Sequence, residues 1–164
     1  MITRLSTIEL FKENMKFSAG HFTIFSRTER ERLHGHNFNV RVSITAEVGE
    51  NGMCFDYTIY KKIVEDMCKS YNEYFLIPRD SPYLKIRESG SNLYVRFNGE
   101  DIPFLKSDVL LMPIRNATLE EFSALFIREM TKEPGQLKIY GIHAIEVNVF
   151  SGPGQSASAK WSRA

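Results

Sequence analysis

The sequence has little cysteine and no excess of charge of either sign. Cys54 and Cys68 are the only cysteines among 164 residues, too few for a disulfide framework, which favours a reducing compartment. The 21 basic and 20 acidic residues give a formal net charge of +1. Because no basic run occurs either, the charge pattern does not predict binding to nucleic acid.

Long apolar runs are also missing. No stretch approaches the ~20 apolar residues that span a bilayer, and the first residues lack the apolar core of a signal peptide. We therefore expect a cytoplasmic protein that does not insert into a membrane. The 43% hydrophobic and 25% charged residues are typical of a globular chain, and the length fits one domain covering residues 1–164.

Hydrophobic periodicity predicts both helices and strands. Alternating apolar and polar residues indicate strands within residues 9–26, 33–48, 143–150 and 155–161. Helical spacing predicts a helix over residues 58–75, with Asp56 as its N-cap, and another over residues 118–130, where Thr118 and Glu121 form a capping box.

Residues 81–108 have a different pattern. Short alternating runs separated by Ser-Gly-Ser-Asn and Asn-Gly predict a small antiparallel β insert. The order is then two strands, a helix, the insert, a helix and two strands. Strands grouped in this way, with the helices on one face, indicate an α+β fold.

Three of the four histidines are predicted to meet. His34 and His36 alternate on one strand, so both imidazoles point to the same side. If this strand pairs with the preceding one through the charged turn at residues 27–32, His21 lies ~5 Å across from them. Three neutral imidazoles with one open position are typical of a catalytic zinc site. The alternative is a set of buried or hydrogen-bonded histidines. His143, which fits no motif, is expected to be a structural or surface histidine.

The histidine segments also carry a family resemblance. F-S-A-G-H at residues 17–21, followed by L-H-G-H-N-F-N-V at residues 33–40, resembles the 6-pyruvoyl-tetrahydropterin and 6-carboxy-tetrahydropterin synthase family. Further matches follow in the same order at residues 52–57, 118–122 and 147–149. The resemblance covers nearly the whole chain except the insert.

The resemblance implies a fold and an activity. The family has the T-fold, a four-stranded antiparallel sheet with two helices packed on one face, and it assembles into barrels that are usually hexamers. It implies that His21, His34 and His36 bind zinc (Zn²⁺), and that the chain is a homo-oligomeric lyase acting on 7,8-dihydroneopterin triphosphate or a related small-molecule pterin.

The position of the family's acid–base cysteine has changed. It precedes the first histidine of H-G-H by four or six residues, where this chain has Arg30 and Thr28. Glu31 instead gives E-x-x-H-G-H, which resembles a variant branch that cleaves the side chain to make 6-hydroxymethyl-dihydropterin. Glu31 is therefore a candidate general base, and the alternative is one more surface charge. Cys54 and Cys68 are expected to be buried apolar residues.

Two other family positions are altered as well. Asn72 and Glu73 replace an Asp-His relay, so Glu73 is a second candidate for proton transfer. Ser151 stands where the family has a glutamate that clamps the pterin ring, while Thr118 matches a pterin contact. We therefore expect Thr118 and Ser151 to mark the ring pocket, which Glu120 could approach from the second helix.

The altered residues leave three functions open. The first is a zinc-dependent lyase of the pterin synthase type. The second is an enzyme that cleaves the side chain to 6-hydroxymethyl-dihydropterin. The third is a noncatalytic protein of the same fold that binds a pterin or a metal, which the missing relay residues favour and the intact three-histidine site opposes.

Overall fold

The computed structural model describes residues 4–163, which form an α+β fold with one large mixed sheet and one small sheet. The strands are β1 (Leu5–Leu10), β2 (Lys16–His21), β3 (His34–Glu47), β4 (Phe75–Pro78), β5 (Lys85–Ser89), β6 (Asn92–Phe97), β7 (Glu100–Leu105), β8 (Val109–Met112), β9 (Ile142–Gly152) and β10 (Gln155–Ser162). The helices are α1 (Thr58–Tyr71), α2 (Leu119–Met130) and α3 (Pro134–Ile139).

The 14-residue strand β3 is the centre of the large sheet. On one side it pairs with β9, and on the other it pairs first with β2 and then with β1, always antiparallel. Val40, Val42 and Ile44 are fully buried and alternate with more exposed residues. One face of the sheet therefore forms the core, as the alternation predicts.

Both long helices pack on that face. Helix α1 buries Tyr60, Val64 and Cys68, and α2 buries an apolar stripe that includes Phe122 and Phe126. All five side chains belong to the same core as Val40 and Val42. The structure thus confirms two helices on one face of the sheet. None of the helices among residues 4–163 is long and apolar enough to cross a membrane.

The first helix is shorter than its periodicity predicts. It ends at Tyr71 and not at residue 75, because Asn72 and Glu73 bond to β2. Asn72 Oδ1 accepts the Ser18 N–H at 2.8 Å, and Glu73, with φ of 65°, donates its N–H to the Ser18 carbonyl at 2.7 Å. Phe75 then begins β4, which runs parallel to β2. The helical periodicity of a sequence does not reveal a tertiary contact of this kind.

The large sheet has seven strands among the described residues and not four. The strand predicted within residues 9–26 corresponds to β2, whereas β1 begins before that range and was not predicted. Strands β4 and β8 extend the sheet with parallel pairings. At the start of α1, Asp56 Oδ1 accepts the Thr58 N–H at 3.0 Å, although the N-cap residue is Tyr57. At α2, Thr118 is the N-cap and its side chain accepts the Glu121 N–H, as predicted. The second half of the predicted capping box is not formed, because Glu121 Oε2 accepts the Arg115 N–H at 2.9 Å.

The insert is confirmed as a small antiparallel sheet of β5, β6 and β7. Its strand β6 packs Leu93, Val95 and Phe97 into a second core together with Phe22 and Ile24. These last two residues follow β2 in the chain. The insert therefore packs against the connection between β2 and β3 through this second core.

Gly20 lies where the backbone of β2 is tightly packed against the Phe75 ring. It pairs with Gly35 across β2 and β3 and donates its N–H to the Tyr74 carbonyl at 2.9 Å. A Cβ at this position would overlap the ring of Phe75. We expect Gly20→Ala to lower the free energy of unfolding by about 1–3 kcal/mol, as overpacking does.

Urea denaturation measures this loss. Gly135→Ala is the matched control, because a Cβ there meets nothing within 4 Å. Equal stability of the two variants would contradict the proposed overlap.

Candidate metal centre

The pairing of β2 with β3 brings three histidines together. His21 is directly opposite His34, and His36 lies two residues further along β3. The ring centroid of His21 is 4.6 Å from that of His34 and 5.1 Å from that of His36. His21 is buried and the other two are half-buried. The cluster therefore sits where the core ends and the solvent begins.

Backbone carbonyls set the tautomers of two of these histidines. Nδ1 of His21 lies 2.8 Å from the Ala117 carbonyl oxygen, and Nδ1 of His34 lies 2.8 Å from the Arg32 carbonyl oxygen. A carbonyl only accepts, so each Nδ1 carries the proton and donates. Each Nε2 is then left as a free electron-pair donor, the arrangement typical of metal-bound histidine.

The candidate ligand nitrogens of the three histidines converge. Nε2 of His34 and Nε2 of His36 are 3.1 Å apart, and the three histidines each offer a ligand atom within 4.8 Å of the others. Ligands bound tetrahedrally to zinc at ~2.0–2.1 Å lie about 3.3 Å from one another. Nε2 of His21 is buried and has no hydrogen-bond partner among the described residues. The three side chains therefore fit a zinc ion.

The charge state of His21 fits the same role. Burial lowers the pKa of His21, and the nearby His34 and His36 lower it further, whereas the hydrogen bond to the Ala117 carbonyl opposes the shift. The imidazole is consequently neutral at pH 7, and a neutral imidazole is the form that binds a metal.

Glu31 lies beside the histidines, as predicted. Its Oε2 accepts the Thr23 N–H at 2.9 Å and is 3.8 Å from Nε2 of His34. Burial raises the pKa of the Glu31 carboxyl, but the Thr23 hydrogen bonds and the neighbouring imidazoles outweigh burial, so the pKa lies below its usual value. Glu31 is therefore ionised at pH 7 and can accept a proton.

A cavity of about 480 Å³ opens in front of the histidines and is also lined by Thr118 and Ser151. The structure thus places both predicted ring-pocket residues in the same cavity as the three histidines. Glu120 from the first turn of α2 and the 64%-exposed Phe25 line the same cavity. Among the described lining residues there are acidic, hydroxyl and aromatic side chains but no lysine or arginine.

Glu73 is placed elsewhere. It lines a different cavity of about 500 Å³, on which Ser18, Asn37 and Tyr74 also lie. His36 lines this cavity as well, but Glu73 does not line the cavity that holds all three histidines and Glu31. Its role in proton transfer stays a prediction.

The remaining sulfur and imidazole groups are outside the site. Cys68 is buried in the main core, where burial raises the pKa of its thiol to about 12. Cys54 lies near the Ala46 carbonyl and lines another cavity. His143 pairs with Glu47 at 2.9 Å, in agreement with its expected structural role.

Sequence reasoning missed the backbone partners of the site. Thr23 and Ala117 act through main-chain groups, which leave no signature in the side-chain pattern. Asn116 was missed as well: its Oδ1 accepts the Ile24 N–H at 3.0 Å, and its Nδ2 donates to the Ile24 carbonyl at 2.8 Å. This pair of hydrogen bonds ties the segment after β2 to the residues that precede α2.

Comparison with known families gives one consistent match. The profile of the family described as 6-pyruvoyl tetrahydropterin synthase matches residues 9–160. A provisionally named 6-carboxy-5,6,7,8-tetrahydropterin synthase from Methanocaldococcus jannaschii is 27% identical over 144 residues, which cover 87% of this chain and 88% of that protein. Its namesake from Pyrococcus horikoshii is 23% identical over 139 residues, 84% of this chain and 81% of that protein.

Solved structures show the same relationship. The 6-pyruvoyl tetrahydropterin synthase of Plasmodium falciparum superposes with a TM-score of 0.90 at 26% identity, covering 97% of this chain and 99% of that one. The Plasmodium vivax enzyme gives the same TM-score of 0.90 and identity of 26% over 98% of this chain and 99% of that one, in a form in which a catalytic glutamate is changed to alanine.

Removal of one imidazole tests the metal centre. We expect His34→Ala to weaken zinc binding at least about 100-fold, because two ligands remain of three, while the domain stays folded. Metal analysis after dialysis, with circular dichroism to check folding, measures both.

His143→Ala is the control, since that imidazole pairs with Glu47 and not with the cluster. A His34→Ala protein that keeps a full equivalent of zinc would refute the ligand set.

Proposed function

The chain belongs to the 6-pyruvoyl tetrahydropterin synthase family, and we propose that it is a zinc-dependent lyase acting on 7,8-dihydroneopterin triphosphate or a closely related pterin. The observation that carries this proposal is the convergence of three imidazole nitrogens beside an ionised Glu31 in one cavity. Such a site combines a metal position open to substrate with a base.

His21, His34 and His36 would hold the zinc. When bound, zinc supplies Lewis-acid stabilisation of negative charge on substrate oxygen atoms. The protein contributes the fixed orientation of the ligands, because the carbonyls of Ala117 and Arg32 hold two of the three rings. A preset site of this kind needs little rearrangement when substrate arrives.

Glu31 is the proposed general base. The Thr23 N–H holds one carboxylate oxygen at 2.9 Å and so fixes its direction. Neither Cys54 nor Cys68 lines the cavity, so no thiol among the described residues competes for this role. The catalytic glutamate that the Plasmodium vivax structures name supports the assignment.

The absence of a thiol from the described cavity favours one reaction within this class, cleavage of the side chain to 6-hydroxymethyl-dihydropterin. Glu31 would take the proton of the 2′ hydroxyl, the C1′–C2′ bond would break, and C2′ would leave as an aldehyde. The electron pair passes through C1′ into the pterin ring, and a proton returned to C1′ completes the hydroxymethyl group. No oxidant or reductant is needed.

Thr118 and Ser151 are the proposed ring contacts, and Glu120 supplies a carboxylate that the serine lacks. A carboxylate can accept two parallel N–H bonds from the aminopyrimidine edge of a pterin, whereas a hydroxyl cannot. Glu120 lines the cavity together with Thr118 and Ser151. We propose that it takes the place of the family's ring-clamping glutamate.

The proposal extends to assembly. We propose a cytoplasmic homo-oligomer, a hexamer by family resemblance, built from single T-fold domains of residues 1–164. In one chain Glu73 does not line the histidine cavity, although its own cavity is also lined by His36, and we propose that a neighbouring subunit completes the surroundings in which it could transfer a proton. Native mass spectrometry gives the oligomer number.

Neutralising the proposed base should stop turnover. We expect Glu31→Gln to lower kcat by about 100- to 10,000-fold, the usual contribution of a general base, with zinc retained. Glu29→Gln, two residues earlier in the same exposed loop, should be unchanged. Loss of 7,8-dihydroneopterin triphosphate under anaerobic conditions, followed by mass spectrometry, measures both.

Unchanged turnover in Glu31→Gln would remove the base from the proposal. A wild-type protein that holds zinc and binds the pterin but forms no product would instead favour the noncatalytic alternative.

Ring recognition has its own test. We expect Glu120→Gln to raise KM about tenfold, because a charge-assisted hydrogen bond is lost, with a smaller effect on kcat. Glu129→Gln, near the other end of α2, is the control. Equal KM values for the two variants would assign ring recognition to other groups.

A further inference from the structure

Arg30 contacts both the insert and Glu31, the proposed base. Arg30 stands one residue before Glu31, and its guanidinium carbon lies 5.3 Å from the ring centre of Phe22 and 5.7 Å from that of Phe97. Phe22 follows β2, whereas Phe97 ends strand β6 of the insert. The arginine is thus stacked against two rings from separate parts of the chain, and each such contact is favourable.

The same guanidinium also holds the backbone of the base. Nη1 of Arg30 donates a hydrogen bond to the Glu31 carbonyl at 2.7 Å. Arg30 pairs with Ile24 in an isolated bridge, and the Glu31 N–H donates to the Thr23 carbonyl at 2.9 Å. Among residues 4–163, no carboxylate lies within ion-pair distance of Arg30. Its guanidinium therefore contacts the two rings and this carbonyl.

Arg30 does not line the histidine cavity. It lines a second cavity of about 410 Å³ with Phe97, Asn98 and Glu31, whereas Glu31 also lines the histidine cavity. A charged side chain that turns away from the site and stacks on buried rings is suited to hold a loop in place and not to bind a ligand.

We propose that Arg30 is a positioning residue that couples the insert sheet to the Glu31 carboxylate. This inference rests on the proposed role of Glu31 as the base. Phe97 of the insert holds the Arg30 guanidinium by stacking, and the guanidinium holds the Glu31 carbonyl by a hydrogen bond. The Glu31 carboxylate is then placed to accept the Thr23 N–H. A base misplaced by 1 Å can lose about 100-fold in rate.

Arg30→Met tests the coupling, because it keeps an apolar stem but removes the planar cation. The first readout is hydrogen exchange of the Thr23 amide, which donates to Glu31 Oε2. We expect exchange to quicken about tenfold, since loss of the stacked cation eases local opening. In the zinc-loaded protein kcat should fall about 10- to 100-fold with KM and zinc content nearly constant.

Arg87→Met is the matched control. Arg87 also stacks on an aromatic ring of the insert, Tyr94 at 4.3 Å, but it makes an ion pair with Asp101 and no contact with the Glu31 loop. Phe97→Leu should repeat the effect of Arg30→Met from the insert side, with Tyr94→Leu as its control. Arg30→Lys should recover only part of the rate, because an ammonium cannot stack between two rings.

The outcomes separate the coupling from the function. Thr23 exchange that is the same in Arg30→Met and Arg87→Met overturns the coupling, as does a raised KM with unchanged kcat, which would make Arg30 a substrate contact. If Arg30→Met does not fold, Phe97→Leu and Arg30→Lys decide by the same two readouts. Faster Thr23 exchange in a protein whose wild type does not turn over the pterin supports the coupling and refutes the proposed function.

Discussion

The antiparallel register of β2 on β3 is the constraint on which the site depends. It sets His21 opposite His34 and leaves His36 on the same side of the sheet. A shift of one residue would turn His34 and His36 to the opposite face, because side chains alternate along a strand. The register is held by the core itself, since Phe17 stacks on Phe38 at 4.9 Å on the same two strands.

Core and site are therefore one continuous pattern. On β3 the buried positions Val42, Val40 and Phe38 lead directly to His36 and His34. The ring of Phe38 lies 5.4 Å from that of His21, with the planes at 74°. The apolar side chains that stabilise the sheet thus also pack against the three histidines. Around it, main-chain groups of the neighbouring segments orient the imidazoles and the Glu31 carboxylate.

Much of this could be predicted because it follows from local pattern. The alternation of β3 placed His34 and His36 on the core side, the charged turn implied the pairing that brings in His21, and the Thr118 cap marked the start of α2. The end of α1 could not be predicted, since it depends on two hydrogen bonds: the Ser18 N–H donates to Asn72 Oδ1, and the Glu73 N–H donates to the Ser18 carbonyl.

Other features of the fold and the site could not be predicted from the sequence, because they too depend on tertiary contacts. Strands β4 and β8 pair in parallel with partners far away in the sequence, and nothing in their own short runs specifies those partners. The contacts of Thr23 and Ala117 are made by backbone atoms. The placement of Glu73 in a second cavity, which shares His36 with the histidine cavity, follows from the three-dimensional path of the chain and not from the alignment with a family motif.

The central claim is an open metal centre built by the β2–β3 pairing. X-ray absorption at the zinc edge of the zinc-loaded wild-type protein tests it directly. The account predicts three imidazole nitrogens at ~2.0–2.1 Å with at least one light oxygen ligand and no sulfur. A spectrum with a sulfur ligand, or with four imidazoles and no oxygen, would contradict it.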